Sequence, residues 1–266
     1  MTDDPSQVSP FPAFNRLRAC RYGQMLYNMH DMYIGRSLDV YGEFSEGEVD
    51  LFRLLLRRGD VVVDAGANIG AHTVFFAQRV GVEGLVLAFE PQRVLYQTLC
   101  ANVALNSIPN VMAMARGLAE KDGSMNLPSM DYGKRYNFGG VSLASGGVGE
   151  AVMVSPLDAF NLQQCALIKV DVEGMEEEVL RGASALIARC APILYVENDR
   201  PAKAASLVRY IHSLNYQMYW HRPALFNANN FLGNSENVFG EIVSHNMICV
   251  PPQLGDVFDA FERVLP

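Results

Sequence analysis

The sequence lacks the cysteine pattern of a disulfide framework or a zinc site. Its five cysteines are odd in number, scattered, and contain no C-x-x-C pair. This is the pattern of reduced thiols in a reducing compartment. The first residues, MTDDPSQVSPFP, lack the basic segment and apolar stretch of a secretory signal, and no apolar run approaches the roughly 20 residues of a membrane span. We therefore expect a cytoplasmic protein with no membrane partner.

Positive charge is also scarce in this sequence. It has 21 lysines and arginines against 29 aspartates and glutamates, a formal net charge of -8. This balance argues against a nucleic-acid backbone or an anionic membrane as the main partner. With 266 residues, half of them hydrophobic, the chain can bury a substantial core. The sequence does not define the oligomeric state, and a homodimer stays open.

Apolar runs without polar alternation predict five strands, at residues 61–65, 85–89, 111–115, 167–170 and 193–196. The helices expected between or after them cover residues 69–80, 93–105, 175–188 and 202–214. Continuous apolar strands separated by helices are typical of a parallel sheet that is covered on both faces. Before the first strand, an apolar stripe of Val49, Phe52, Leu55 and Leu56 predicts a helix over residues 46–58.

The remaining segments predict the domain organisation. Residues 1 to about 15 are predicted to form a loose tail, and residues 14–31 a short helix. Residues 121–154, rich in glycine, serine and tyrosine, read as an inserted loop or hairpin, and a loop of this length is more often functional than idle. Residues 216–220 and 246–250 predict an antiparallel pair that closes the sheet. We expect a tail and cap segment at 1–48, the main domain at 49–252 with its insertion at about 121–154, and a C-terminal segment at 253–266.

The stretch VVVDAGANIGAHTVFFAQRV, residues 61–80, predicts a strand, a glycine turn and a helix. This arrangement suggests a nucleotide-like ligand at the helix N-terminus. The turn lacks the G-x-G-x-x-G of dinucleotide sites, and its strand ends on Asp64. A carboxylate there would repel a pyrophosphate and attract a cation. S-adenosylmethionine carries a sulfonium and an ammonium and has no phosphate, so the pattern favours this ligand.

A second acid, Glu90, ends the next predicted strand. It follows Asp64 by 26 residues, and an acid roughly 20 residues on can accept hydrogen bonds from both ribose hydroxyls of a nucleotide. Alternatively, Asp64 and Glu90 only cap turns or helices. Two acids at consecutive strand ends that flank the same glycine turn favour the ligand interpretation.

These segments resemble the FkbM family of S-adenosylmethionine-dependent methyltransferases. The resemblance rests on VVVDAGANIGAHTVFFA with AFEPQ, on NVALN, and on LIKVDVEGMEEEVLRGA, and it extends from YIGRSLDVYGEFSEGE to NMICVPP. It implies a Rossmann-like, mostly parallel seven-stranded sheet with a reversed last strand and helices on both faces. It also implies O-methylation of a hydroxyl on a small molecule or glycan, such as a sugar, polyketide or other natural product. The implied cofactor-binding residues are Asp64, Gly66, Asn68, Gly70, Glu90, Pro91 and Asp171.

Methyl transfer needs an aligned acceptor oxygen and a group that removes its proton. Glu173 is the main candidate base because it lies in the family-like turn next to Asp171, which is a further catalytic candidate. His221, at the end of a predicted strand, is a secondary candidate. Lys169 shares a strand face with Asp171 and is expected to pair with a strand-end acid. His72 is expected to pack or to form a hydrogen bond with the backbone.

A divalent cation such as Mg²⁺ is a further hypothesis. Asp171 ends one strand and the pair Glu197-Asn198 ends the next, which is how catechol-type O-methyltransferases place their Mg²⁺ ligands. Oxygen ligands of this kind suit a hard cation. The alternative is that acids at these strand ends interact with helix N-termini, because acids there are favoured by the helix dipole.

The acceptor pocket is expected to involve the insertion and the segment around residue 33. Aromatic, amide and basic groups in these segments suit hydroxyl-rich ligands, and the alternative for each is ordinary packing. The candidates are Tyr33, Tyr41, Arg135, Tyr136, Asn137 and Phe138.

Two other functions compete with methyl transfer. A non-catalytic S-adenosylmethionine-binding protein would keep the same strand-end acids. An NAD(P)-linked oxidoreductase would need G-x-G-x-x-G and a tyrosine followed by lysine four residues on, and neither pattern is visible in the sequence.

Overall fold

The computed structural model describes residues 13–266, except residues 145, 147, 256, 257 and 259. Most of the predicted loose tail therefore lies outside the described residues. The described elements, in chain order, are β1 (Asn15–Cys20), β2 (Gly23–Asn28), α1 (Ile34–Tyr41), α2 (Glu46–Leu55), β3 (Val61–Ala65), α3 (Ala71–Val80), β4 (Leu85–Phe89), α4 (Arg93–Leu105), β5 (Val111–Met114), β6 (Gly117–Leu118), β7 (Gly123–Leu127), β8 (Glu150–Ser155), β9 (Leu167–Val170), α5 (Glu176–Arg181), α6 (Ser184–Cys190), β10 (Ile193–Glu197), α7 (Pro201–Ser213), β11 (Gln217–His221) and β12 (Asn246–Val250).

A seven-stranded sheet forms the centre of the fold, in the order β11-β12-β10-β9-β3-β4-β5. The pairs from β10 to β5 are parallel, and β12 runs antiparallel to both β10 and β11. The strands β3, β4 and β9 are almost completely buried, as expected for strands covered on both faces. The predicted Rossmann-like sheet with a reversed last strand is confirmed.

The two faces of the sheet pack against different helices, because successive strand residues point to opposite sides. Val63 belongs to an apolar cluster with Val179 and Leu207, from α5 and α7. Its neighbour Val62 belongs to a second cluster with Phe52 and Phe76, from α2 and α3. The sheet is therefore sandwiched between two helix layers, and the carboxyl ends of its parallel strands share one edge.

The short helix predicted for residues 14–31 is wrong. This segment is a β-hairpin in which Cys20 pairs with Gly23. Met25 and Tyr27 are buried at period-2 spacing, which is the pattern of a strand with one covered face. The Asn102 side chain of α4 exchanges hydrogen bonds with the Leu26 backbone at 2.6 and 3.0 Å, which ties the hairpin to the main sheet's helix layer.

The helix predicted for residues 175–188 is divided into α5 and α6. The Asp158 carboxylate accepts hydrogen bonds from the backbone N–H groups of Ala185 and Leu186, at 2.9 and 2.8 Å. These groups would otherwise lack partners, because they lie in the first turn of α6. A cap from a distant residue therefore defines a new helix start that the apolar pattern did not show. The helix expected over residues 46–58 likewise ends earlier, at Leu55.

The predicted insertion contains a hairpin, β7 with β8, and the short β6 also pairs with β8. The segment between β7 and β8 returns to the main sheet. There the Phe138 carbonyl accepts a hydrogen bond from Gln92 Nε2 (2.9 Å), and Ser142 Oγ donates to the Glu173 carbonyl (2.7 Å). The insertion thus forms one wall at the carboxyl edge of the sheet. Among the described residues, no helix is long and apolar enough to cross a membrane.

Candidate active site

A cavity of about 490 Å³ lies at the carboxyl ends of β3, β4, β9 and β10. In open α/β sheets this edge is where ligands bind. Among the described residues that line the cavity, two have cationic side chains, Lys169 and Arg200. Seven have carboxyl groups: Glu48, Asp64, Glu90, Asp171, Glu173, Glu197 and Asp199. This excess of carboxyl groups makes the cavity suited to a cationic ligand and unsuited to a phosphate.

The glycine turn after β3 forms the floor of the cavity. Gly66 has φ +77°, and a Cβ at this position would lie 1.8 Å from the Asp171 carbonyl oxygen. Only glycine fits here, because the turn after β3 and the turn after β9 approach each other closely. Asn68 also has a positive φ, of 53°, and both residues line the cavity as predicted.

Gly70 does not line the cavity, in contrast to its predicted contact with the cofactor. A Cβ on Gly70 would lie 2.6 Å from Leu99 Cδ1, on α4. Its φ of +86° suits the turn that precedes α3, and the absence of a side chain lets this turn pack closely against Leu99 of α4. The last glycine of the motif therefore serves helix packing.

Lys169 is the charged centre of the site and is 3% exposed. Its Nζ lies 3.4 Å from Asp64 Oδ1, 3.3 Å from Asp171 Oδ2 and 3.4 Å from the Gly66 carbonyl oxygen. Burial opposes the charge, but Asp171, Asp64 and Glu48 together raise the pKa of Lys169 above its usual value. The predicted pairing with a strand-end acid is confirmed.

Asp64 is completely buried and already has two partners. Thr73 Oγ1 donates a hydrogen bond to its Oδ2 (2.6 Å), and Lys169 lies on the other side. The charge of Asp64 is therefore partly balanced inside the protein, by a lysine that it shares with Asp171. The attraction for a cation that the sequence argument assigned to Asp64 alone belongs to the whole set of carboxyl groups around the cavity.

Glu90 holds the turn on the other side of the cavity. Its Oε2 accepts a hydrogen bond from the Asn68 N–H and its Oε1 from the Gln92 N–H, both at 2.8 Å. Burial raises the pKa of Glu90 to about 7, against the lowering effect of these two hydrogen bonds. Each oxygen keeps a lone pair for a ligand hydroxyl, and Pro91 lines the cavity beside it.

Asp171, Glu173 and Glu197 bring carboxylate oxygens within 4.8 Å of one another. Glu173 has a strained φ of +57° and pairs with Arg200. Burial and the neighbouring Asp171 raise the pKa of Glu173 to about 7, although Arg200 lowers it. Burial and Asp171 also raise the pKa of Glu197 well above its usual range. Such shifts are typical of functional sites.

Of the predicted metal set, the structure brings Asp171 and Glu197 together but not Asn198. Asn198 does not line the cavity, and its Nδ2 donates to Met247 Sδ at 3.4 Å. Glu173 takes the third position instead. Asp171 is paired with Lys169 and Glu173 with Arg200, so two of the three candidate ligands already have cationic partners. These ion pairs compete with a divalent cation for the same carboxylates, so the arrangement favours a site without one.

His221 does not line the cavity, so it is misplaced for the predicted role of base. Its Nδ1 is hydrogen-bonded to Tyr195 Oη at 2.8 Å. Asn246 Nδ2 donates to the same Tyr195 oxygen (2.9 Å) and to Glu48 Oε1 (3.1 Å). His221 thus reaches the cavity only through this chain of side chains.

Only some of the predicted acceptor residues line the cavity. Tyr33 and Asn137 do. Tyr41 and Phe138 are buried in apolar clusters, and the Tyr41 hydroxyl donates to the Glu236 carbonyl. Arg135 and Tyr136 lie outside the cavity lining. For these four residues ordinary packing or exposure replaces the predicted ligand contact.

Three residues that line the cavity were not predicted as site residues from the sequence. Glu48 and Arg200 were missed, and His72 was expected only to pack or to bond the backbone. Glu48 carried a signal, because it lies one turn before Phe52 on the apolar face of α2. An acid in an apolar stripe is costly unless it is paired or binds something. Arg200 carried no comparable signal.

Comparison with known proteins identifies the family. The model of the "Methyltransferase FkbM domain" matches residues 64–218, more than half of the chain. The chain belongs to the FkbM methyltransferase family. Its fold is accordingly that of S-adenosylmethionine-dependent methyltransferases, and the resemblance seen in the sequence is confirmed.

Two curated relatives of this FkbM-family chain are named as methyltransferases. "Methyltransferase 1" of Beauveria bassiana is 32% identical over 143 residues, and "Methyltransferase sdnD" of Sordaria araneosa is 32% identical over 154 residues. Each alignment covers 46% of this chain, and the two cover 57% and 59% of the relatives' own lengths. The chain therefore matches little more than half of each relative.

The solved structures also include an FkbM methyltransferase, from Methylobacillus flagellatus KT. It superimposes on 73% of this chain and on 45% of its own, with a TM-score of 0.52 and 19% sequence identity. At this identity the likeness shows the shared fold.

Proposed function

We propose that this FkbM-family chain transfers a methyl group from S-adenosylmethionine to a hydroxyl of a small molecule or glycan. The observation that carries the proposal is the cavity wall, in which seven carboxyl groups surround two cationic side chains. A sulfonium donor suits this wall, whereas the pyrophosphate of NAD(P) would be repelled by it.

The residues around the glycine turn fit the donor. Glu90 would accept hydrogen bonds from the ribose hydroxyls, as expected from its position after β4. Gly66 and Asn68 let the backbone approach the ligand, with Pro91 and Asp171 on either side. When bound, the donor supplies an electrophilic methyl group on a positively charged sulfur.

For the acceptor, we propose that Glu173 removes the hydroxyl proton. Its carboxyl group lines the cavity close to Asp171 and Glu197, and its pKa of about 7 is well placed for a base at neutral pH. Arg200 would orient the Glu173 carboxylate. The family resemblance supports a sugar, polyketide or other natural product as the acceptor class.

The experiment that tests this function supplies S-adenosylmethionine with a labelled methyl group and a panel of sugars, glycosides and polyketides. We expect label on a hydroxyl oxygen of at least one acceptor class, located by mass spectrometry and NMR. Donor binding without transfer to any member of the panel would favour a non-catalytic S-adenosylmethionine-binding protein instead. Label on nitrogen or carbon would contradict O-methylation.

Glu173→Gln is expected to lower kcat by roughly 100-fold or more, since a positioned base contributes about 10²–10⁴-fold. The affinity for S-adenosylhomocysteine, measured by calorimetry, should stay within about threefold. At saturating donor, so that titration of Glu90 in the empty site does not enter, the wild-type kcat/KM for the acceptor should rise as the pH passes about 7, because the base is active only when deprotonated. This limb should vanish in the variant.

Glu178→Gln is the matched control, because Glu178 lies in the following helix, is half-exposed outside the cavity lining, and pairs with Lys203. It should leave kcat unchanged. A Glu173→Gln enzyme with a wild-type rate and pH profile would remove Glu173 as the base.

Removal of divalent cations should have no effect on activity. Asp171 and Glu173 are already paired with Lys169 and Arg200, so transfer should proceed at the same rate after dialysis against EDTA. Labelled-methyl transfer measured before dialysis, after it, and after addition of Mg²⁺ or Mn²⁺ provides the check. A rate that falls with EDTA and returns with either ion would show that a cation is required.

A further inference from the structure

One part of the cavity wall has no role in the proposed reaction. Glu48, from α2, and His72, from α3, lie side by side there, with Glu48 Oε2 and His72 Nε2 3.9 Å apart. Both are at least nine-tenths buried. Glu48 lies outside the segment matched by the family model. Asn246, which donates a hydrogen bond to Glu48 Oε1, also lies outside it.

The Glu48 carboxyl group has neutral hydrogen-bond partners. Its Oε1 accepts hydrogen bonds from Ser45 Oγ (2.8 Å) and from Asn246 Nδ2 (3.1 Å), and the Ser244 side chain is a further hydrogen-bond partner. Within the described part of the chain, no lysine or arginine lies at ion-pair distance from Glu48. Burial accordingly raises the pKa of Glu48, and no cation in contact with its carboxylate offsets this cost, so a cationic ligand group beside it would be stabilised.

His72 does not neutralise Glu48. Its ring packs against Phe44, Phe52 and Phe76, and burial together with the charge of Lys169 lowers the pKa of His72 to about 3. The imidazole is thus neutral at physiological pH. Its Nε2 is buried and makes no hydrogen bond to any described residue. The wall therefore combines an acceptor that lacks a cation with a polar nitrogen that lacks a partner.

The sheet order indicates which part of the donor can reach this wall. Glu90 follows β4, and β9 with Lys169 lies two strands away, or roughly 10 Å at the usual strand spacing. Glu48 and His72 lie close enough to Lys169 for its charge to act on both. From the ribose, six single bonds of about 1.5 Å lead to the carboxyl carbon of S-adenosylmethionine, which spans roughly 7–8 Å when extended. Its amino-acid end therefore points from Glu90 toward β9, on the side of the cavity where Glu48 and His72 lie.

We infer that Glu48 and His72 bind the amino-acid end of the methyl donor, Glu48 accepting a hydrogen bond from the ammonium and His72 Nε2 donating one to the carboxylate. This inference rests on the proposed function, because it takes S-adenosylmethionine as the ligand. It leaves Glu173, Glu197 and Arg200 for the acceptor. It also gives the N-terminal helix α2, which precedes the matched segment, a direct part in donor recognition.

The test compares S-adenosylhomocysteine with 5′-methylthioadenosine, a nucleoside thioether that lacks the amino-acid end. Calorimetry measures the affinity of the full chain for each. Glu48→Gln should weaken the binding of S-adenosylhomocysteine roughly 10- to 100-fold, the usual effect of removing a charge-assisted hydrogen bond, and leave 5′-methylthioadenosine within twofold. His72→Phe, which suits the surrounding aromatic rings, should act in the same direction.

Glu46→Gln is the matched control on the same helix. Glu46 is buried as well, but it bonds Tyr22 and Arg53 and does not line the cavity, so both affinities should stay unchanged. Equal losses for the two ligands in Glu48→Gln, or no loss for S-adenosylhomocysteine, would overturn the inference. A wild-type chain that binds neither ligand would instead overturn the proposed function itself, and the inference with it.

Discussion

Replacing Lys169 with methionine is expected to lower the free energy of unfolding by about 3–5 kcal/mol, the usual cost of removing one partner from a buried ion pair. Lys169 lies between Asp64 and Asp171, and its removal leaves two carboxylates facing each other with no cation between them. Urea unfolding followed by circular dichroism measures the change. Donor binding should be lost as well, since the same residues position the glycine turn.

The surface pair of Lys134 and Asp131 provides a control of the same chemical type. Both side chains are largely exposed, with their charged atoms 3.2 Å apart. Lys134→Met should change stability by less than about 1 kcal/mol, as for other exposed pairs. If Lys169→Met were no more destabilising than Lys134→Met, the assignment of Lys169 as the charged centre of the site would be wrong.

Glu90→Gln is expected to weaken S-adenosylhomocysteine binding roughly 10- to 100-fold, or about 1.5–3 kcal/mol. The substitution keeps the volume of the side chain but replaces a doubly accepting carboxylate with an amide. One of its two positions then carries an NH₂ that faces the N–H of Asn68 or Gln92. Calorimetry with S-adenosylhomocysteine and with 5′-methylthioadenosine should show equal losses, because both ligands carry the ribose.

Glu150→Gln serves as the control for Glu90, since Glu150 is a half-exposed partner of Arg93 outside the cavity. It should bind both ligands as the wild type does. A loss in Glu90→Gln that spares 5′-methylthioadenosine would place Glu90 near the amino-acid end of the donor and would contradict its assignment to the ribose.

The central sheet could be predicted from the sequence because its strands are buried on both faces. Residues 61–65, 85–89 and 167–170 were predicted with the bounds that the structure shows, since a continuous apolar run between helices leaves few alternatives. The strand-end acids Asp64 and Glu90 followed from the same reasoning. The carboxyl ends of parallel strands lie at the same edge of a sheet, so the location of the cavity could also be predicted.

Features that depend on contacts between distant segments escaped prediction. The N-terminal hairpin is tied to the sheet through Asn102, and the break between α5 and α6 depends on a cap from Asp158. Neither contact leaves a local pattern in the segment it shapes. The same holds for Asn198, whose side chain turns to Met247 and away from the predicted metal position.

The charge of the site shows a similar limit. A single acid at a strand end suggested a cationic ligand, but Asp64 already shares Lys169, on the neighbouring strand, with Asp171. The excess of negative charge comes instead from residues on many elements, including Glu48 on α2 and Asp199 after β10. The total charge of the cavity wall cannot be predicted from the sequence, because it depends on which distant residues the fold brings around the cavity.

The most direct test of the central claim is a calorimetric titration of the purified chain with S-adenosylmethionine and, separately, with NAD⁺. The acidic cavity predicts saturable binding of one S-adenosylmethionine per chain and no measurable heat with NAD⁺. Binding of NAD⁺ in preference to the sulfonium compound would contradict the claim that the cavity is built for a cationic methyl donor.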